Sequence, residues 1–178
     1  MELLRIGEKL VSIGRIHRTV ERILQLRSQG QSQQEVADQI GVDRTFISRL
    51  EGLGEVRKGG RLALIGFPVG NKEEIELMAR QEGVDYVLVM TDDERWDFAQ
   101  DRSGVQLVNE LMVMFSQLRD YDTVIFLGSD MRIKLVEAML EPGTLLGIEL
   151  GKSPMQEDKY VDPRDLQAVI RSLMDTSN

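Results

Sequence analysis

The 178 residues include no cysteine, which removes disulfides, thiolate nucleophiles and zinc-thiolate sites together. A single histidine, His17, rules out a histidine-based metal cluster within one subunit, and its surroundings mark it as an exposed helix residue. No apolar run reaches the length of about 18 residues that a membrane helix needs, and the first residues carry no hydrophobic signal core. The expectation is a cytoplasmic protein with no membrane partner. Nucleotide and hydrolase fingerprints are missing too: no GxSxG occurs, and no GxGxxG follows any strand-like run. The nearest approach to a phosphate loop, Gly66 to Lys72, is one residue short between its glycines and lacks Ser or Thr after the lysine. These absences leave no assigned catalytic residue, metal ligand or cofactor, and the chain is not expected to be an enzyme.

The charges present are divided unevenly. Residues 1–60 hold ten Lys and Arg against eight Asp and Glu, a surplus of two; residues 61–178 hold twelve against twenty-two, a deficit of ten; together they make the net −8. A mildly basic front and a strongly acidic back suit a nucleic-acid-facing module attached to a domain that stays off the phosphates.

Within the front, Ser32 to Gly54 reads as two short helices joined by a glycine turn. Ser32 and Glu35 have the spacing of a capping box, and the first helix runs from Gln33 to about Ile40. Gly41 supplies the sharp turn, and Asp43 is placed to cap a second helix through about Leu53. Val36, Ala37 and Ile40 fall on one stripe, Ile47 and Leu50 on another, with Val42 at the corner; the small Ala37 lets the helices cross closely. Arg44, Thr45, Ser48 and Arg49 are left on the outer face of the second helix. The spacing thus predicts a helix-turn-helix, preceded by a scaffold helix from about Arg15 to Ser28 and a loosely amphipathic helix from Glu2 to about Ser12.

The stretch resembles the Cro/C1-type (Xre-like) helix-turn-helix family of prokaryotic and phage regulators. The residues that carry the likeness are Ser32-Gln33, Glu35, Ala37, Gly41-Val42, Ser48, Arg49 and Glu51. It covers residues 20–54 only; Gly52-Leu53 stands where that family usually has asparagine-glycine, and its two later helices are not recognisable. The resemblance implies binding to double-stranded DNA; by their positions Arg44, Thr45 and Arg49 are expected to reach base edges and Gln33 to hold the backbone, with Ser48 and Gln34 as further DNA-binding candidates.

Residues 57–60 read as a charged, doubly glycine linker between domains of residues 1–56 and 61–178, with Arg57 and Lys58 as candidate phosphate contacts. The second domain alternates apolar runs (62–67, 84–90, 123–127, 145–150) with helical patterns (72–81, 104–118, 130–140, 163–174) around a polar stretch from Thr91 to Arg102. Such alternation indicates an α/β fold: a small, doubly wound, four-stranded parallel sheet, with expected strand order 2-1-3-4.

Ligands collect at the carboxyl ends of such strands. There the candidate ligand-binding residues are Gly70, Asn71, Thr91 and Ser129, with Asn71 and Ser129 also expected to cap helices. Tight-turn chemistry accounts for the same glycines without a ligand. Asp92, Asp93, Glu94 and Asp130 are read as solvated carboxylates rather than a cation site, and Leu111, Met112, Met114 and Phe115 as helix core rather than a ligand box. Trp96 and Phe98, unusual in a polar stretch, suit a cleft mouth or a subunit contact.

The reading that follows is a homodimeric, DNA-binding transcriptional regulator whose α/β domain serves assembly and the sensing of a small-molecule effector. Two others compete: a small α/β hydrolase or transferase tethered to nucleic acid, and a protein-interaction adaptor.

Overall fold

A computed structural model describes residues 3–175, and the chain divides into two compact units between Glu55 and Val56.

The first unit opens on a β-hairpin where the sequence suggested a helix. Strands β1 (Leu3–Ile6) and β2 (Lys9–Ser12) pair antiparallel, with Leu4 opposite Val11 and Arg5 opposite Leu10. The physical reason is Gly7: at φ 59° it makes the tight two-residue turn with Glu8, and an interior glycine weakens the competing helix. Ser12 then acts as a cap, its hydroxyl accepting from the Arg15 amide, so α1 (Ile13–Ser28) starts earlier than its spacing suggested and Gly14 lies in its first turn. After α1 come α2 (Gln33–Ile40) and α3 (Arg44–Leu53). Ile23 of α1, Val36 and Ala37 of α2 and Ile47 of α3 are fully buried together, with Leu26, Ile40, Val42 and Leu50 packed around them. Every apolar position read from spacing in α2, α3 and their connection therefore lies in this core.

In the second unit, Val56 packs on the core and residues 57–60 are bound to the unit rather than free. The Arg57 amide donates to Gly143, Thr123 Oγ1 donates to the Arg57 carbonyl, and the Gly59 amide donates to Leu173. Arg57 pairs with Glu141 at 3.1 Å. Gly60 sits at φ 74° so close to Asp122 that a Cβ would fall 2.1 Å from its Oδ2, which is why no side chain fits there. The intended linker is thus the first edge of this unit.

Its strands β3 (Leu62–Gly66), β4 (Tyr86–Val89), β5 (Thr123–Ser129) and β6 (Leu145–Gly151) form one parallel sheet in the order β4-β3-β5-β6, the expected 2-1-3-4. Residue alternation divides the core by face. Leu62, Leu64, Ile125 and Leu127 meet Ile75 and Ala79 of α4 (Lys72–Gln81) and Leu166 and Ile170 of α8 (Pro163–Met174). Ala63, Ile65, Val124 and Phe126 instead meet Leu118 of α6 (Gly104–Leu118) and Val136 of α7 (Asp130–Met139). The polar stretch after β4 is not a loop. It is α5 (Asp92–Gln100), which starts with a Thr91–Glu94 capping box and has no buried residue, so it carries no apolar stripe by which to recognise it.

Candidate nucleic-acid interface

The first unit presents the outer face of α3 through a short chain of local causes. Ser32 accepts from the Glu35 amide at 3.2 Å, and the Glu35 carboxylate accepts from the Ser32 amide at 2.7 Å, closing the capping box of α2. Those bonds from Ser32 hold the Glu35 carboxyl below its ordinary range. Gly41 ends α2 in the left-handed region, φ 79°, where a side chain would be strained. Asp43 caps α3, accepting from the Thr45 amide at 2.6 Å; the Thr45 side chain and then this amide lower its pKa. The two capped helices are separated by three residues.

A second device fixes the angle between them. Glu51 of α3 accepts from Arg27 Nε of α1 through one oxygen and from Gln33 Nε2 of α2 through the other, at 2.7 Å for the latter. The Arg27 guanidinium and then the Gln33 amide hold the Glu51 carboxyl below its usual value. Arg27 also donates to the Gln31 carbonyl before α2. One carboxylate therefore ties three helices, a role that only tertiary structure displays. In the sequence Glu51 stands out merely as part of the motif.

The expected contact residues separate into two groups. Arg44, Thr45, Ser48 and Arg49 are exposed on α3, and among the described residues the side chains of Arg44 and Arg49 have no ionic or hydrogen-bonding partner. Gln33 is half-buried and engaged with Glu51; Gln34 is exposed and donates to Asp38 one turn along α2. The four α3 residues come together on one helix face, and the two glutamines lie at the start of the neighbouring one.

In the second unit, the four residues singled out at the strand ends hold loops. The Gly70 amide donates to Lys159. Asn71 does not cap α4 through its side chain but brackets Val161, accepting from its amide and donating to its carbonyl. Thr91 caps α5. Ser129, fully buried, makes no capping bond to α7 and accepts instead from the Ser153 hydroxyl at 2.7 Å. Three of the four nearby carboxylates are occupied as well, Asp92 by Arg95, Glu94 by Lys72, and Asp130 by the Ser153 amide and Lys152, while Asp93 is exposed. Among the described residues no group of three or more His, Cys, Asp or Glu is arranged to hold a metal ion.

Spacing also leaves out a cavity of about 690 Å³ on the α5–α6–α7 side of the sheet. Leu111, Met114 and Phe115, read as plain core, line it, as does Phe98. Set against family models, curated proteins and solved structures, the chain matches none.

Proposed function

We propose that the chain is a sequence-specific, DNA-binding transcriptional regulator of prokaryotic type that works in the cytoplasm as a homodimer. In this reading the first unit is a helix-turn-helix module and α3 its recognition helix. The observation that carries the proposal is the outer face of α3. Four hydrogen-bonding side chains stand exposed on it, two of them arginines with no partner among the described residues, while the opposite face is buried against α1 and α2. Unpaired exposed arginines at the start of a capped helix are suited to guanine edges in a major groove. Gln34 would hold the backbone, and Gln33 would set the angle of approach through Glu51. The surplus of positive charge in residues 1–60 supports the same reading, as does the acidity of the remainder.

A surplus of two charges makes few phosphate contacts, and a single module of this kind binds non-specific DNA at about 10⁻⁴ to 10⁻⁶ M. Two copies joined through another surface would read half-sites roughly 34–36 Å apart and gain effective concentration. Selection of bound duplexes from a random pool tests both elements at once. Enrichment of a two-fold site with that spacing is expected, and recovery of unenriched sequence would reject the proposal.

A further inference from the structure

The cavity beside the sheet has a composition that packing alone does not explain. Its walls are apolar and aromatic, with Phe67 and Phe126 in edge-to-face contact at 5.5 Å, joined by Tyr86 and Phe115. Among these rings stands Arg132, from the first turns of α7, its guanidinium 5.2 Å from the Phe67 ring centre. Arg132 Nη1 is shielded from water and, among the described residues, has no hydrogen-bond partner. A buried donor of this kind costs free energy on folding, and a charged one costs more, so its retention calls for a reason.

The other charges at the cavity are balanced. Arg95 lies on the same wall and is held by Asp92, its Nε 3.2 Å from Oδ1. Glu110 is paired with Arg102, which in turn lies over the Phe98 ring at 4.0 Å. Two neutral pairs and the Arg132 guanidinium, which feels Asp92 only at a distance and shares it with Arg95, leave one surplus positive charge facing the space. Burial, and then the neighbouring Arg95 charge, push the Arg132 pKa down, against a smaller opposing pull from Asp92.

We infer that the cavity binds a small organic anion with an apolar body and one carboxylate, which Arg132 receives bidentately while the aromatic walls enclose the body. One carboxylate matches one uncompensated charge, and planar oxygen pairs fit the guanidinium fork. The volume lies within the range of small-molecule sites, about 300–1,000 Å³, and the few polar groups in an apolar lining follow their usual design. Gly70, Asn71, Thr91 and Ser129 are not among the lining residues, so this site differs from the one expected at the loop turns. The inference is independent of DNA binding.

Calorimetric titration of the full chain, without DNA, tests it with decanoate and 4-phenylbutyrate as probes and 1-decanol as the uncharged control. Saturable one-to-one binding of at least one carboxylate is expected, at least about tenfold tighter than decanol, the scale of a charge-assisted bidentate contact. Arg132→Met should erase the carboxylate preference while leaving the unliganded melting temperature unchanged or higher, because it removes a half-buried cation whose shielded Nη1 donor is unmet among the described residues. Ala99→Trp, which adds bulk to the cavity wall from α5 and keeps the Arg132 side chain, should abolish binding of all three probes. If Arg132→Met fails to fold, the Ala99→Trp titration decides alone. Absence of saturable carboxylate binding at low-millimolar probe, decanol binding as tightly as decanoate, or full binding by Ala99→Trp would each overturn the inference.

Discussion

The Gln33 side-chain amide donates to Glu51 at 2.7 Å, joining the first residue of α2 to the last turns of α3, and Arg27 of α1 takes the other carboxylate oxygen. Hydrogen bonds to a charged group contribute about 1.5–3 kcal/mol when well formed, and these are only partly exposed. Glu51→Ala should therefore lower the stability of the first unit by about 1–3 kcal/mol. Urea unfolding of residues 1–55 would read this directly. An unchanged midpoint would mean that the apolar core alone sets the helix angle.

For DNA, the consequence lies in Arg44 and Arg49. Neither is tied to a partner among the described residues, so truncating them should leave folding intact and act on binding alone. Arg44→Ala and Arg49→Ala should each cost about 1–3 kcal/mol in specific affinity and relax the base preference at one position. Gel shifts with the selected duplex and single-position variants give both quantities. Unaltered affinity and preference in both variants would remove α3 as the reading element.

Much of this architecture was legible in the chain because its signals are local. Ser32 with Glu35, Gly41 and Asp43 mark helix ends by hydrogen bonds spanning two to four residues, and the four apolar strands are nearly continuous runs. The N-terminal hairpin was misread because Leu3, Leu4, Ile6 and Leu10 satisfy a loose helical spacing, and one glycine decides against it. Helix α5 was invisible because its existence rests on the Thr91 cap and on ion pairs, not on an apolar face. The candidate ligand cavity depends on Arg132, Phe67 and Phe98, residues from separate elements whose meeting no short-range pattern encodes. Likewise, the capping potential of Asn71 and Ser129 was real by residue type, yet tertiary partners, Val161 and Ser153, claimed both side chains.

The binding of residues 57–60 to the second unit yields a quantitative test of its boundary. A fragment of residues 56–178 keeps the Val56 packing and the backbone bonds from Arg57 and Gly59; a fragment of residues 61–178 loses them all. At about 0.5–1.5 kcal/mol for each of the three hydrogen bonds, the shorter fragment should be less stable by roughly 1.5–4.5 kcal/mol, although both have the complete sheet. Chemical denaturation of the two would show the difference, and equal stability would restore residues 57–60 to the status of a passive linker.

Acid stability should report the pair between α4's end and α8. Glu82 accepts from Arg171 at 2.7 and 2.8 Å and from Gln167 at 2.6 Å, which brings its pKa down to about 2. A carboxylate whose folded pKa is depressed binds protons more readily when unfolded. Its stabilising effect is complete above the unfolded value of 4.5 and is lost as pH falls from there toward 2. Glu82→Gln should therefore flatten this part of the pH–stability curve and have its largest effect near neutrality. Melting temperatures from neutral pH, above that window, down to about pH 3, inside it, provide the check; parallel curves for the two proteins would show that the pair is screened out by solvent.

Dimerisation is the remaining prediction, and the hairpin changes where to look for part of it. Leu3 and Leu4 are about half exposed and Leu10 is 66% exposed, so the N-terminal segment offers apolar side chains on a two-stranded sheet instead of a helix. A two-stranded hairpin is marginal alone, and its outer strand edges can accept further pairing. The second unit offers a competing surface in Trp96 of α5 and in Val105, Val108 and Met112 of α6, all more than half exposed. The larger second unit can bury the larger patch, and stable interfaces bury about 1,200–2,000 Å² in total, which favours α5 and α6 as the main contact. Light scattering of the full chain at micromolar concentration should give twice the 20.2 kDa chain mass. Met112→Glu together with Val108→Glu should return the particle to a single chain mass, whereas Leu4→Glu with Leu10→Glu should leave it dimeric. The reverse pattern would move the joining surface to the hairpin, and a particle of single chain mass both with and without its selected DNA would exclude the dimer.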